Sequence, residues 1–217
     1  MLLKRNFFSK PSPPQNLRFH MDDQETPEKI AFHLQAFLTP HIHRDIVFVC
    51  IGTDRSTGDS LGPLIGSKLK EKPLNIFHVY GTLEHPVHAL NLEETLEIIK
   101  QKHKSSFVIG IDASLGKLTS VGQITIGNGP VKPGAAVNKK LPEVGDMHMT
   151  GIVNIGGMME YVVLQNTRLS VVMKMANVIA QGIQIVDEKL SRQYQEQARR
   201  LPPQKPKVFI REKKITN

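Results

Sequence analysis

The chain has 217 residues, of which 40% are hydrophobic and 22% are charged, as expected for a globular domain with a substantial core. No run of ~20 apolar residues predicts a membrane span, no signal-peptide pattern is seen, and the single cysteine, Cys50, excludes an internal disulfide. The net charge of +8 comes from the chain ends, because residues 1–20 carry +4 and residues 189–217 carry +7.

The basic ends predict two tails around one domain. Residues 1–21 contain three prolines and no periodic pattern, which predicts a flexible basic arm, and residues 202–217 predict a basic tail. Residues 22–201 are expected to form a single domain. No zinc-finger, helix-turn-helix or RNA-binding motif accompanies the basic residues, so solvated tails are favoured over a nucleic-acid interface.

The first elements of the domain are a helix and a buried strand. Residues 26–38 predict a helix with Thr26 as its N-cap and Pro27 in its first turn. The continuous apolar run of residues 45–52 predicts a central parallel strand that is buried on both faces. Cys50 at its end is interpreted as a small buried hydrophobe rather than a nucleophile.

Strands and helices then alternate along the chain. Helices are predicted over residues 61–71, 90–103, 158–165 and 176–200, and strands over residues 75–81, 106–113, 122–129, 169–173 and 206–214. Residues 129–150, rich in Gly, Pro and Lys, predict a long loop, and loops of this length in compact domains are usually functional or disordered. This alternation predicts an α/β fold, a three-layer α/β/α sandwich around a mostly parallel sheet.

Acidic side chains follow two of the predicted strands. Asp54 and Asp59 come after the first strand, and Asp112 directly continues the apolar run of residues 108–111. Ligands of such folds bind outside the carboxyl ends of the strands, so Asp59 and Asp112 are a candidate dyad. Two alternatives stay open: Asp59 as a helix N-cap and Asp112 as a turn former. The position of Asp54 is more typical of a turn residue than of a catalytic base.

Three segments resemble known proteases. The loop Thr-Asp-Arg-Ser-Thr-Gly-Asp-Ser-Leu-Gly-Pro, residues 53–63, resembles a loop of the spore germination protease and the acidic metal-binding loop of hydrogenase-maturation proteases. The segment Ile-Asp-Ala-Ser-Leu-Gly, residues 111–116, looks like the second acidic motif of both families. Residues 132–145 resemble the Pro-Gly-x-Gly-x-Asn-basic loop of the germination protease. Thr53 and Gly58 depart from these patterns.

Together, over residues 46–186, these segments resemble the spore protease family of YyaC-like sporulation proteins. The resemblance implies a phosphorylase/hydrolase-like fold and a cytoplasmic role in a sporulating cell or spore. It implies a peptidase with Asp59 and Asp112 as catalytic residues and no cofactor, acting on a protein or peptide such as a small spore protein. Asn138, Lys139 and Lys140 are then candidate substrate-binding residues.

Two other functions remain open from the sequence. In a metal-dependent endopeptidase, His148 would join Asp59 and Asp112 as the third ligand of a divalent ion such as Zn²⁺, Ni²⁺ or Mn²⁺. The pair His85 and His88 is a weaker ligand candidate, because Pro86 disfavours a helical arrangement. In the second alternative, the domain is a non-catalytic sporulation protein that binds a partner or nucleic acid.

Overall fold

The computed structural model describes residues 16–72, 74–134 and 141–200, with side chains up to residue 196. Its strands are β1 (Asn16–His20), β2 (Ile46–Cys50), β3 (Phe77–Tyr80), β4 (Phe107–Gly116), β5 (Gln123–Asn128) and β6 (Met147–Ile155). Its α-helices are α1 (Thr26–Leu38), α2 (Leu61–Glu71), α3 (Leu92–Lys102), α4 (Glu160–Gln165) and α5 (Leu169–Arg200).

The described strands form one mixed sheet in the order β1-β5-β6-β4-β2-β3. The pairs β2–β3, β2–β4 and β4–β6 are parallel, whereas β5 pairs antiparallel with β1 and β6. The parallel strands point their carboxyl ends to one edge of the sheet, where ligand sites form in this class of fold. The predicted mostly parallel α/β sheet is confirmed.

Helices cover both faces of the sheet. Ile46, Phe48 and Cys50 of β2 pack with α1, α2 and α5, whereas Val47 and Val49 pack with Leu92 and Ile99 of α3. Every residue of β2 is buried, because alternate side chains enter different cores. The three-layer α/β/α arrangement predicted from the sequence is therefore present.

Two predictions about irregular segments are wrong. The arm predicted over residues 1–21 is wrong for its last residues, since β1 pairs with β5 from Asn16↔Gly127 to His20↔Gln123, whereas residues 1–15 lie outside the described residues. The loop predicted over residues 129–150 ends earlier, because β6 begins at Met147. In β6 the alternate residues Met147, Met149, Gly151 and Val153 are buried, a period of two that its glycine and methionines obscure.

The strand predicted over residues 169–173 is also wrong, because these residues form the start of α5. The β-branched run favoured a strand locally, but buried residues recur at helical spacing from Val172 onward. They are Val172, Met175, Ala176, Ile179, Ala180, Ile183, Val186 and Leu190. Thr26 likewise is the first residue of α1 rather than its N-cap, and its hydroxyl donates a hydrogen bond to the His20 carbonyl at 2.7 Å.

One helix in the described part of the chain has the length and composition of a membrane span. Residues Leu169–Glu196 contain an 18-residue window of mean hydropathy 1.4, of which 44% is buried inside the protein. The sequence analysis found no membrane span here, because polar residues such as Lys174 and Gln181 interrupt the apolar run. Its apolar residues join the core formed by α1, α2 and the sheet, as in a core helix.

A buried carboxylate joins α5 to the start of β3. Asp187, only 1% exposed, accepts hydrogen bonds from the backbone amides of Asn75, Ile76 and Phe77 and from the Asn75 side chain, at 2.7–3.2 Å. These donors compensate the cost of burying the carboxylate. Asp187 therefore has a structural explanation and lies outside the candidate site described below.

Candidate functional site

The loop after β2 folds back onto the end of the strand. Gly52 has φ +146°, and a Cβ there would lie 1.9 Å from the Asp59 carbonyl oxygen. The Thr53 amide donates to the same carbonyl at 3.2 Å. Gly62 allows α2 to approach equally closely, since its Cβ would lie 2.1 Å from the Ile51 carbonyl oxygen. These close backbone contacts fix Asp59 beside the carboxyl end of β2.

Asp59 lies in a short 3-10 turn, Gly58–Ser60, that leads into α2. Ser60, rather than Asp59, occupies the N-cap position, and no side chain caps the helix. The alternative of Asp59 as a helix cap is therefore wrong. Burial raises the pKa of the Asp59 carboxyl, and the nearby Ser56 hydroxyl partly opposes this. That hydroxyl is buried and lies outside hydrogen-bond geometry with any described residue, so it acts on Asp59 as a nearby dipole.

Asp112 lies within β4 rather than after it. The pairing of β2 with β4 ends at Cys50↔Ile111, whereas β4 continues beside β6 with Asp112 opposite Thr150. Asp112 is thus the first residue of β4 beyond the end of β2. The Ala113 amide donates to its Oδ1 at 2.9 Å, but the strand continues, so Asp112 does not form a turn.

The surroundings of Asp112 favour its protonated form. Burial raises the pKa of the Asp112 carboxyl to about 8, the Ala113 amide opposes the rise, and the negative charge of Asp59 adds to it. The contribution of Asp59 is the smallest of the three, so the pKa of Asp112 is raised mainly by burial. The structure places Asp59 and Asp112 beside the same cavities, close enough for the charge of one to act on the other.

The pair lies where two cavities adjoin. Cavities of about 410 Å³ and 600 Å³ share four lining residues, Asp59, Asp112, Gly134 and Glu160. We call this combined space the dyad cleft. Its smaller part is also lined by Ser114, Leu115, Lys132 and Thr150, and its larger part by Thr53, His88, Leu141, Met159 and Tyr161. The cleft thus extends to both sides of the two carboxyls.

Glu160 and His88 are cleft residues that the sequence did not assign to the site. Glu160 begins α4, and its Oε1 accepts a hydrogen bond from the Gly157 amide at 3.3 Å. The sequence could have indicated Glu160 through the pair of glycines at residues 156–157, which predicts a turn shortly before this acid. His88 was considered with His85, but only His88 lines the dyad cleft.

His148 does not join the two aspartates. It lies in β6 opposite Gly110, its ring Nδ1 is 3.0 Å from the Gly129 carbonyl oxygen, and it lines neither part of the cleft. The predicted loop would have left His148 free to reach the dyad, but the strand fixes it two residues before Thr150. The described residues therefore do not form the predicted Asp59, Asp112 and His148 metal site.

Four candidate residues from the sequence remain, and three of them lie outside the described part of the chain. Asn138, Lys139 and Lys140 lie outside the described residues, although Gly134 and Leu141 on either side of that segment line the cleft. Asp54 is exposed and accepts a hydrogen bond from the Thr53 hydroxyl at 3.4 Å, as expected of a loop residue.

Cys50 is fully buried within the core, as the sequence predicted. Burial raises the pKa of its thiol to about 12, which keeps the thiol protonated near neutral pH. A protonated, enclosed thiol is neither a nucleophile nor a metal ligand. Cys50 therefore contributes no reactive group to the cleft.

Comparison with known proteins shows the family of this chain and similarities to individual proteins. A family model described as a protein of unknown function (DUF1256) matches residues 18–182. The chain is 56% identical over 165 residues, 76% of its length, to the uncharacterized protein YyaC of Bacillus subtilis (strain 168), and the match covers 80% of that protein. It is also similar to a crystal structure of the NiFe hydrogenase maturation protease HycI from Thermococcus kodakarensis KOD1, with 18% identity and a TM-score of 0.45, over 71% of this chain and 98% of that chain.

Proposed function

The chain belongs to this family of proteins of unknown function (DUF1256), and we propose that it is a peptidase whose catalytic residues are Asp59 and Asp112. The observation that carries the proposal is the pairing of these carboxyls, both with raised pKa values, between the two parts of one cleft. Perturbed carboxyl pairs in clefts are characteristic of acid–base catalysis.

The unequal surroundings of the two acids give each a role. Asp112 is the acid that holds the proton near neutral pH, because its pKa is raised to about 8. Asp59, ionised beside it, removes a proton from a water molecule in the cleft. The resulting hydroxide adds to the scissile carbonyl carbon while Asp112 gives its proton to the carbonyl oxygen.

Collapse of the tetrahedral intermediate restores both carboxyls. Asp59 passes its new proton to the amide nitrogen as the carbon–nitrogen bond breaks, and the intermediate returns a hydroxyl proton to Asp112. General acid–base action of this kind contributes about 10²–10⁴-fold to the rate for each group. The proposed step uses the two carboxyls and water alone, so we propose a reaction without a cofactor.

The form of the cleft suits an extended polypeptide. Apolar residues Leu141, Met159 and Tyr161 line one part, and Lys132 lines the other, so a peptide crossing the dyad meets different surfaces on each side. We propose a protein or peptide substrate, with Asn138, Lys139 and Lys140 as further substrate-binding residues. The substrate implied by the resemblance is a small spore protein, cleaved in the cytoplasm of a sporulating cell or spore. We propose no membrane partner for this reaction.

Cleavage assays on matched variants test the dyad. The full chain, with and without prior chelator treatment, is incubated with small spore proteins and with a proteome-derived peptide library, and new termini are identified by mass spectrometry. Asp59→Asn and Asp112→Asn are each expected to lower kcat/KM by about 10²–10⁴-fold. The exposed Asp54→Asn is the control and should leave kcat/KM within about twofold.

Each other outcome identifies a different error. Undiminished cleavage by Asp112→Asn would refute the dyad. Loss of activity after chelation, restored by a divalent ion, would replace the metal-free reaction by the metal-dependent alternative. Absence of any cleavage by the folded parent protein would favour the non-catalytic alternative, in which the protein binds a partner or nucleic acid through its basic tails.

A further inference from the structure

A second group of polar side chains lies at the opposite edge of the sheet. His103 Nδ1 is 3.0 Å from Asp45 Oδ2, and His78 Nε2 is 4.0 Å from Asp45 Oδ1. The two imidazole rings are 4.3 Å apart between centroids. We call Asp45, His78 and His103 the amino-edge cluster, because Asp45 directly precedes β2.

Three different elements assemble this cluster. Asp45 is fixed by its carbonyl, which accepts a hydrogen bond from the Phe107 amide at 2.8 Å. His78 lies on β3 opposite Val47, so its side chain is near the start of β2. His103 directly follows α3 as its C-cap, and its amide donates to the Ile99 carbonyl at 2.8 Å. The positions of all three residues are thus set by ordered backbone.

We propose that the amino-edge cluster is a binding site for a divalent transition-metal ion, with Zn²⁺ the ion that best fits two imidazoles and one carboxylate. Among the described residues it is the one group of three or more such side chains whose ligand atoms lie within 4.8 Å of one another. Ligand distances of about 2.0–2.2 Å place neighbouring ligands of tetrahedral zinc about 3.3 Å apart. The two nitrogen–oxygen separations, 3.0 Å to Asp45 Oδ2 and 4.0 Å to Asp45 Oδ1, lie on either side of this value, and all three ligand atoms lie within 4.8 Å of one another, so side-chain rotations can bring them around one ion.

The second nitrogen of His103 already has a partner. The Tyr80 hydroxyl lies 3.0 Å from His103 Nε2, on the side of the ring away from Asp45. A partner on one ring nitrogen fixes the orientation of a histidine and leaves the other nitrogen for the ion. A hydroxyl suits either tautomer, because it donates before binding and accepts once Nε2 carries the proton.

The ligands of the amino-edge cluster are accessible from solvent. The His103 side chain is 12% exposed, whereas those of His78 and Asp45 are 45% and 49% exposed, so an ion can enter from solvent.

The protein leaves at least one coordination position open, because it supplies three ligands. His78 and His103 line a cavity of about 820 Å³, the largest of those described here, together with Lys70, Lys72 and Tyr80. A water molecule or an anionic ligand is the chemistry that an ion and two lysines would hold there. This cavity runs along β3 as far as His88, which also lines the dyad cleft, but neither Asp59 nor Asp112 lines it.

A calorimetric titration of the chelator-treated full chain with Zn²⁺ tests the site. We expect one ion per chain, with affinity lowered at least about 100-fold in His78→Gln and His103→Gln. Tyr80→Phe, which removes the hydroxyl that orients His103, should lower the affinity about 10–100-fold. The exposed His43→Ala is the matched control, and Asp112→Asn tests the dyad cleft. Both should bind as the parent does.

A measurement on the unaltered protein protects the test from misfolded variants. Zn²⁺ should shift the imidazole resonances of His78 and His103 in ¹H–¹⁵N spectra and leave that of His148 in place. No stoichiometric binding, or shifts confined to other histidines, would overturn the proposal. Binding lost in Asp112→Asn but kept in His78→Gln would assign the ion to the dyad cleft instead, a result that bears on the proposed peptidase separately.

Discussion

Asp59 and Asp112 have the same side chain but different surroundings, and the difference decides which carboxyl keeps the proton. Both pKa values are raised chiefly by burial. For Asp112 the rise is larger and the negative charge of Asp59 contributes to it. Because a pair of this kind titrates jointly, the singly protonated state spans the range between the two transitions. Catalysis by the dyad would accordingly show a bell-shaped pH profile.

The raised pKa of Asp112 predicts how stability depends on pH. Folded Asp112 keeps its proton up to about pH 8, whereas the unfolded chain releases it near the ordinary value of 3.8. Folding therefore takes up a proton between these values, and the free energy of unfolding falls as pH rises through them. Asp112→Asn should remove this loss, with a relative gain on the order of 1–3 kcal/mol near pH 8 and none near pH 4. Partial contact with solvent keeps the gain below that of a fully enclosed carboxyl.

Urea denaturation of the parent and the variant across this pH range measures the effect. Asp54→Asn, an exposed acid outside the cleft, is the control and should run parallel to the parent at every pH. A stability difference between Asp112→Asn and the parent that does not change with pH would contradict the raised pKa. Such a result would mean that the carboxyl is ionised in the folded protein and unable to act as the acid.

The sequence identified the two aspartates because each follows an apolar run, and strand ends meet at one edge of a parallel sheet. It did not identify the amino-edge cluster, whose residues Asp45, His78 and His103 come from three elements with no local spacing to relate them. The sequence-based prediction was wrong about His148, because this side chain could approach the two aspartates only from a flexible loop, and residue 148 lies in strand β6. Contacts between side chains of different elements depend on tertiary structure, which the pattern of a single sequence does not reveal.

At the scale of elements, sequence patterns succeeded where burial was uniform or periodic over a full element. The run at β2 and the bounds of α2 were predicted because apolar residues and glycine marked them directly. β1 was missed because its hydrogen bonds are completed by β5, which lies about 100 residues later in the chain, and β6 because its glycine and methionines obscure its period of two. The start of α5 was mistaken for a strand because local β-branching competed with a longer helical period.

The turn after β2 depends on a glycine, which predicts a specific effect of adding one methyl group. Gly52→Ala would place a Cβ 1.9 Å from the Asp59 carbonyl oxygen at a backbone φ of +146°. We expect a loss of stability of about 2–5 kcal/mol, from backbone strain together with the clash, and a displaced Asp59. Chemical denaturation measures the first effect, and the cleavage assay or the pH titration of the dyad measures the second.

Gly157→Ala provides the matched control for Gly52→Ala. Gly157 has nearly the same backbone angle, φ +144°, but a Cβ there would meet nothing within 4 Å. It should show only the backbone cost, about 1–3 kcal/mol. Equal losses in the two variants would mean that strain alone determines the cost, and that the contact between Gly52 and Asp59 does not hold the turn in place.

At the scale of the whole molecule, the sheet separates the two candidate sites. The amino-edge cluster lies at the start of β2 and the dyad cleft at its end, and Asp45 and Gly52 are about 20 Å apart at roughly 3.3 Å per residue of strand. No described salt bridge joins the two groups. The parallel core strands between them are buried on both faces and packed by helices. Such a scaffold holds two sites in fixed positions without requiring them to communicate.

Stability measurements on double variants test this separation whether or not either proposed activity exists. Substitutions more than about 7–10 Å apart that share no partner add within about 0.5 kcal/mol, so His78→Gln and Asp112→Asn should be additive in the free energy of unfolding. Asp59→Asn and Asp112→Asn should instead show a coupling of about 0.5–3 kcal/mol, because the charge of Asp59 acts on Asp112. Denaturation of the parent, the single variants and both double variants at pH 7 gives the two coupling energies. Coupling between His78 and Asp112 as large as that within the dyad would show that β2 transmits changes from one edge to the other, and additivity within the dyad would show that its two carboxyls do not interact.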